Sequence, residues 1–231
     1  FGRTGLLMPV VSCGGMRYQH KWQDADPKKI PPANQANLEA CIHRALELGI
    51  NHIETARGYG SSEMQLGWGL PQLPRDGMIV QTKVAPRASS REFIEAFNTS
   101  MKYLQLDHVE LLTLHGINNR ELLDWSLRKG GCVAAARKLQ KEGRVRFLGF
   151  SAHSAEAAIA LMDRMKLDSI LFPVNYVLFA QGNFGPQILA KAKQKAQRIN
   201  CVNNLKQIGL SFRIWAGDNQ DSYPMKVTAA N

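Results

Sequence analysis

Six short apolar runs of strand length, at residues 10–13, 50–53, 78–81, 109–114, 145–150 and 169–174, alternate with longer stretches of helical periodicity. The helical stretches lie at 37–48, 63–70, 91–106, 133–141 and 155–165. In the first of these, Leu38, Cys41, Ile42, Ala45, Leu46 and Leu48 form a 3.6-residue stripe, and Gly49 follows as a stop. Such alternation, with strands rich in Val, Ile, Leu and Phe, predicts an α/β fold in which helices cover a parallel sheet.

A parallel sheet is either open and doubly wound or closed into a barrel. After the first run, Gly14-Gly15-Met16-Arg17 is neither a dinucleotide fingerprint nor a P-loop, which argues against the open form. Glu54, Lys83, His115 and Ser151 each fall at or within two residues of a strand end, at spacings of 29, 32 and 36 residues. Each spacing is about one βα unit, so the four side chains converge on one rim. That is the arrangement of a (β/α)₈ TIM-type barrel, whose chemistry sits at the C-terminal ends of its strands. The polar stretch 17–32 suits a loop over the barrel mouth.

Other classes are disfavoured by composition. The chain has 231 residues, enough for one domain with an appendage. No run of about 18 apolar residues occurs, so no membrane partner is expected. Arg3, Gly2, Gly5 and Pro9 interrupt the first residues, so no secretory signal is read there. Cys13, Cys41, Cys132 and Cys201 are dispersed, which predicts no metal site and no disulfide framework, and favours a cytoplasmic location. The net charge is +10, and half of it lies beyond residue 185, where seven basic residues face only Asp218 and Asp221. Phe212, Trp215 and Tyr223 interleave poorly with that charge, so a solvated basic helix is expected and no nucleic-acid partner.

The motifs of the first four-fifths resemble those of the aldo-keto reductases. Gly2-Arg3-Thr4-Gly5-Leu6 with Met8-Pro9-Val10 is similar to that family's N-terminal β-hairpin. The segment from Gly49 to Gly60, with Ser62-Glu63 and Leu66-Gly67, is similar to its catalytic signature, although Glu54 stands where the family usually has Asp. Thr82-Lys83, Leu114-His115 and Gly149-Phe150-Ser151 match its later strand ends.

The resemblance implies reduction of an aldehyde or ketone with NADPH. Tyr59 would donate the proton, Lys83 would tune it, Glu54 would hold the lysine and His115 would orient the carbonyl. A phenol of ordinary pKa about 10 needs such a cation to work near neutrality. Ser151 would help hold the nicotinamide amide, though Ala152 departs from the family's Ser-Asn pair. Met16 and Arg17 read equally as a border of the nicotinamide or as loop lining. Asn175, assigned to the sixth strand, reads as an amide ligand or as a turn former.

Beyond residue 183 one more barrel helix is expected, and then the family pattern stops. Residues 196–210 and 215–219 resemble the segment that follows the hydrophobic helix of type II secretion and type IV pilin-like proteins. Ile199, Val202, Leu205, Ile208 and Phe212 give one amphipathic tail helix. The expected organisation is therefore an incomplete barrel of about six βα units over 1–189, joined to a pilin-like helical tail over 190–231. The junction, within 190–195, reads as a natural fusion or a misjoined sequence. Without the loops after a seventh and eighth strand, which grip the pyrophosphate in the family, NADPH binding is expected to be weak. Open edges would invite self-association. Three functions remain open at this point: a reductase, a catalytically silent barrel, and a pilin-like interaction module.

Overall fold

The computed structural model of the protein describes residues 1–2, 4–17 and 19–197. Six strands form one parallel sheet in sequential order: β1 (Cys13–Gly14), β2 (His52–Glu54), β3 (Ile79–Val84), β4 (Val109–Leu114), β5 (Val145–Ser151) and β6 (Ser169–Leu171). Each strand pairs with the next, and the sheet curls into a half-barrel with helices outside it. The partial TIM-type architecture expected from the alternation is what forms.

Every residue of β3 and β4 is buried, as strands covered on both faces must be. Among the described residues eight α-helices accompany the strands: α1 (Pro32–Glu47), α2 (Ser62–Gly69), α3 (Ser90–Leu104), α4 (Arg120–Leu127), α5 (Cys132–Lys141), α6 (Ala155–Arg164), α7 (Tyr176–Ala180) and α8 (Pro186–Gln197). The start of α3 is fixed by a capping box, with Ser89 Oγ accepting from Glu92 N while Glu92 reaches back to Ser89 N. Its inner face carries Phe93, Phe97 and Leu104, all 0% exposed. Close approach of α2 to α3 depends on Gly67, where a Cβ would lie 1.8 Å from the Tyr103 carbonyl oxygen.

Several local expectations change. Among the described residues of 1–12 no strand forms, so the N-terminal β-hairpin is absent. Thr4 instead closes a turn on Phe1 O and Leu6 N, and Pro9 has no N–H to offer a ladder. As a result β1 begins only at Cys13, and Val10 and Val11 are exposed. β6 ends at Leu171, two residues before Pro173. Two helices, not one, connect β4 to β5, because Asn119 caps the extra eight-residue helix α4. The further barrel helix expected beyond residue 183 is α8, held against α6 by Lys191–Asp163 at 2.5 Å. It is continuous through the boundary expected at 189/190. The pilin-like tail helix lies outside the described residues.

Candidate active site

Parallel pairing brings the C-terminal ends of β2 to β5 to one rim. Glu54 is the last residue of β2, Lys83 the penultimate residue of β3, His115 follows β4, and Ser151 ends β5. Two backbone hydrogen bonds continue the β2–β3 ladder beyond the strands. Thr55 N donates to Gln81 O, and Arg57 N donates to Lys83 O, each at 2.8 Å. They carry the chain directly into the turn that bears Tyr59.

Four expected residues meet there. The Lys83 ammonium is ion-paired with Glu54 Oε1 and lies 4.5 Å from the centroid of the Tyr59 ring. The His115 ring meets Tyr59 edge-on, with centroids 5.6 Å apart and planes at 86°. Lys83 is 2% exposed. The longer glutamate thus reaches the lysine at the position where aspartate is usual.

Burial sets the protonation of this group. It pulls the Lys83 ammonium down to about 7, a fall that the Glu54 carboxylate opposes by favouring the charged form. It pushes the Tyr59 phenol above its ordinary range, so Tyr59 is protonated at neutral pH. Burial, then Lys83 and His153, lower His115 to about 4, leaving a neutral imidazole with an N–H to donate.

The other expected residues are placed less centrally. Ser151 is 8% exposed, and its hydroxyl accepts from Gly116 N at 2.8 Å, which leaves its own O–H to donate. Met16 is half-buried and Arg17 exposed, both just after β1. Asn175 lies outside β6, is exposed, and caps α7 by accepting from Leu178 N at 3.0 Å. The turn-forming alternative describes that contact. Gly14 and Gly58 border the group without side chains of their own: a Cβ at Gly14 would lie 3.7 Å from Glu54 Oε2, and one at Gly58 3.8 Å from His115 Nδ1. The Ser151 O–H is a donor of the kind that the amide oxygen of a nicotinamide accepts.

Two groups of polar residues went unassigned in the sequence. His52, Gln81 and Thr113 form a buried row one layer below the rim, each two residues before Glu54, Lys83 and His115. His52 Nδ1 faces Ser12 Oγ at 2.6 Å, His52 Nε2 faces Gln81 Oε1 at 3.0 Å, and Gln81 Nε2 donates to Thr113 Oγ1 at 2.8 Å. The second group, Asp24, Arg57 and Glu63, links the mouth loop to α2. The first had a readable signal, the polar i, i+2 repeat on three successive strands. The second had only its place inside the signature segment.

A parallel half-barrel with a lysine held between a carboxylate and a phenol at its C-terminal rim is an α/β protein of the TIM-barrel class. The sequence model of the Aldo/keto reductase family matches residues 10–209, and the chain belongs to that family. The match runs past residue 190, and no likeness to pilin-like proteins accompanies it.

Among curated proteins, L-galactose dehydrogenase of Arabidopsis thaliana is 32% identical over 71% of this chain and 51% of its own length. Among solved structures, an aldo-keto reductase of Bacillus halodurans in its holo form is 22% identical, with a TM-score of 0.65, over 82% of this chain and 61% of that one. An aldo-keto reductase of Bombyx mori in complex with NADP is 20% identical, with a TM-score of 0.60, over 82% and 62%. These two likenesses concern the fold. The chain spans about half the length of the L-galactose dehydrogenase it matches.

Proposed function

We propose that the protein reduces a small aldehyde or ketone with a nicotinamide cofactor, NADPH in preference to NADH. The observation that carries the reading is Lys83 held between Glu54 and the Tyr59 ring. When bound, the cofactor supplies hydride to the carbonyl carbon. Tyr59 gives its phenolic proton to the carbonyl oxygen as charge develops there. Lys83 stabilises the phenolate left behind, Glu54 favours the charged form of the lysine against its burial, and neutral His115 donates its N–H to orient the carbonyl. Ser151, Met16 and Arg17 border the nicotinamide, whereas Asn175 is taken up as the cap of α7.

A second reading is a barrel that keeps this constellation without turnover. The described sheet has six strands, with β1 and β6 at its edges, whereas a closed TIM-type barrel has eight and no edge. Weak NADPH binding and self-association through those edges belong to this proposal. So does the division of the chain at 189/190. A third reading, a pilin-like interaction module, rests on the resemblance of residues 196–210 and 215–219 alone. The cytoplasmic setting is inferred from the dispersed thiols, of which Cys13, Cys41 and Cys132 are free.

The test is a fluorescence titration of NADPH and NADH against the purified chain, followed by carbonyl turnover of parent and Tyr59→Phe. Saturable binding with turnover that disappears in Tyr59→Phe supports the reductase. Saturable binding without turnover in the parent selects the silent barrel. Turnover equal in parent and variant removes Tyr59 from the chemistry.

A further inference from the structure

The loop over the barrel mouth is fastened to the Tyr59 turn at two levels. In the backbone, Ser61 N donates to Lys21 O at 3.1 Å, and His20 N donates to Ser61 Oγ and Gln65 Oε1, both at 2.9 Å. Gly60 has φ +56°, and a Cβ there would lie 1.8 Å from Lys21 O, so only glycine lets turn and loop touch. The second level is Arg57, two residues before Tyr59. One guanidinium arm donates to Glu63 Oε2 of α2 at 2.6 Å, and the other is ion-paired with Asp24 of the loop. Its Cζ lies over the Tyr103 ring of α3, 4.7 Å from the centroid, and Tyr103 Oη donates to Asp24 Oδ2 at 3.2 Å. Glu63 is 0% exposed and also accepts from Thr82 Oγ1 of β3 at 2.6 Å. Through its own N–H, Arg57 is bonded to Lys83 O.

We propose that Arg57 is a positioning residue: it locks the Tyr59 turn to the Lys83 strand and pins residues 20–24 over that turn. The proposal rests on the reading of Tyr59 as proton donor. Arg57 suits the task because a planar fork can engage two carboxylates at once while stacking on a ring, which a lysine cannot do. Its inner contact with Glu63 is dry and rigid, whereas Asp24 is half-exposed, so the loop is the releasable end. The groups facing Arg57 are Asp24, Glu63 and Tyr103; those facing Tyr59 are Lys83 and His115, with Glu54 behind the lysine. Burial holds the phenol above its ordinary range, so a change in how closely the Tyr59 turn packs at the rim moves its titration.

Removing the guanidinium alone strands the Glu63 carboxylate in the core, a change that destabilises proteins strongly. The test therefore uses Arg57→Met combined with Glu63→Gln, with Arg57→Lys as the variant that keeps a charge opposite Glu63. The Tyr59 phenol is titrated by difference absorbance, each variant against itself carrying Tyr59→Phe. The expected result is a midpoint displaced by about 0.5 pH or more in the double variant and by less in Arg57→Lys. Where turnover is measurable, kcat falls by roughly tenfold or more while cofactor affinity holds, as for a misplaced reacting group. In Asp24→Asn, tryptic cleavage after Lys21, Lys28 or Lys29 accelerates by about fivefold or more as the loop is released. An unmoved Tyr59 midpoint in both Arg57 variants overturns the positioning role, and unchanged cleavage in Asp24→Asn overturns the pinning of the loop. A parent chain without carbonyl turnover sinks the reductase reading, yet the titration and the cleavage rates still decide the role of Arg57.

Discussion

The ammonium of Lys83 lies over the face of the Tyr59 ring, 4.5 Å from its centroid, with its counter-ion Glu54 on the neighbouring strand. The cation is buried, so little water screens it from charge developing on the phenol. Tyr59→Phe is therefore expected to lower carbonyl turnover by about 10²–10⁴-fold, the range for loss of a positioned acid, with nicotinamide affinity nearly unchanged. Lys83→Met should lower turnover as well, because an untuned phenol is a poor acid. Steady-state kinetics beside a cofactor titration checks both, and a Lys83→Met variant with parental kcat takes the lysine out of the mechanism.

A pH profile tests the same pair from another side. Burial lowers Lys83 to about 7, so the charged form that stabilises a phenolate is present below that value and is lost as pH rises through it. The Tyr59 phenol is raised, so the donor stays protonated over the whole window. Carbonyl reduction at saturating cofactor should accordingly fall above about pH 7, and Lys83→Met should have lost that limb. A parental profile flat to pH 9 would mean that Glu54 keeps the lysine charged throughout.

The Glu54–Lys83 contact was legible because strand-end residues repeat at the βα spacing, and parallel pairing turns that spacing into a shared rim. His115 was legible for the same reason, whereas Tyr59 was legible only through the resemblance of residues 49–60 to the family signature. The N-terminal hairpin was misread because its motif is short, and the Thr4 turn outcompetes a ladder that Pro9 cannot complete. Asn175 was assigned to β6 although an Asn before an apolar run is also a helix cap, and the cap is what it makes. Arg57 gave no signal, because its partners Asp24 and Glu63 lie 33 residues before it and six after it, on a loop and on a helix. Only the fold brings them together.

Gly67 offers a test of packing. A methyl group there would lie 1.8 Å from the Tyr103 carbonyl oxygen, and backbone cannot yield as a flexible side chain does. Gly67→Ala must push α2 away from α3, and α2 carries Glu63 and follows the Tyr59 turn directly. We expect a loss of about 1–3 kcal/mol in urea unfolding, the usual cost of overpacking a tight contact. Gly77→Ala, where a Cβ would meet nothing within 4 Å, is the control and should unfold near the parental midpoint. Equal midpoints for the two variants would mean that the α2–α3 contact is looser than the geometry here.

His52 gives a prediction about acid. Burial lowers its pKa to about 4; the hydrogen bond to Gln81 opposes the fall, and Lys83 adds to it. The ring is 6% exposed, and it is neutral in the folded state wherever the unfolded chain has begun to protonate it. A group with a depressed folded pKa binds more protons when unfolded. Its stabilising contribution is therefore complete above its ordinary pKa near 6.5 and is lost as pH falls toward 4. At pH 5 the loss is on the order of 2 kcal/mol from this residue alone. His52→Gln keeps a polar group in the row with Ser12 and Gln81 but cannot titrate. Its stability should be lower than the parent's at pH 7.5, where the native row is intact, and should fall less between pH 7.5 and 5. Urea unfolding at the two pH values measures the difference directly. If the parent and His52→Gln lose the same stability over that interval, His52 is not the buried neutral imidazole described here, and the acid sensitivity belongs to another group such as His115.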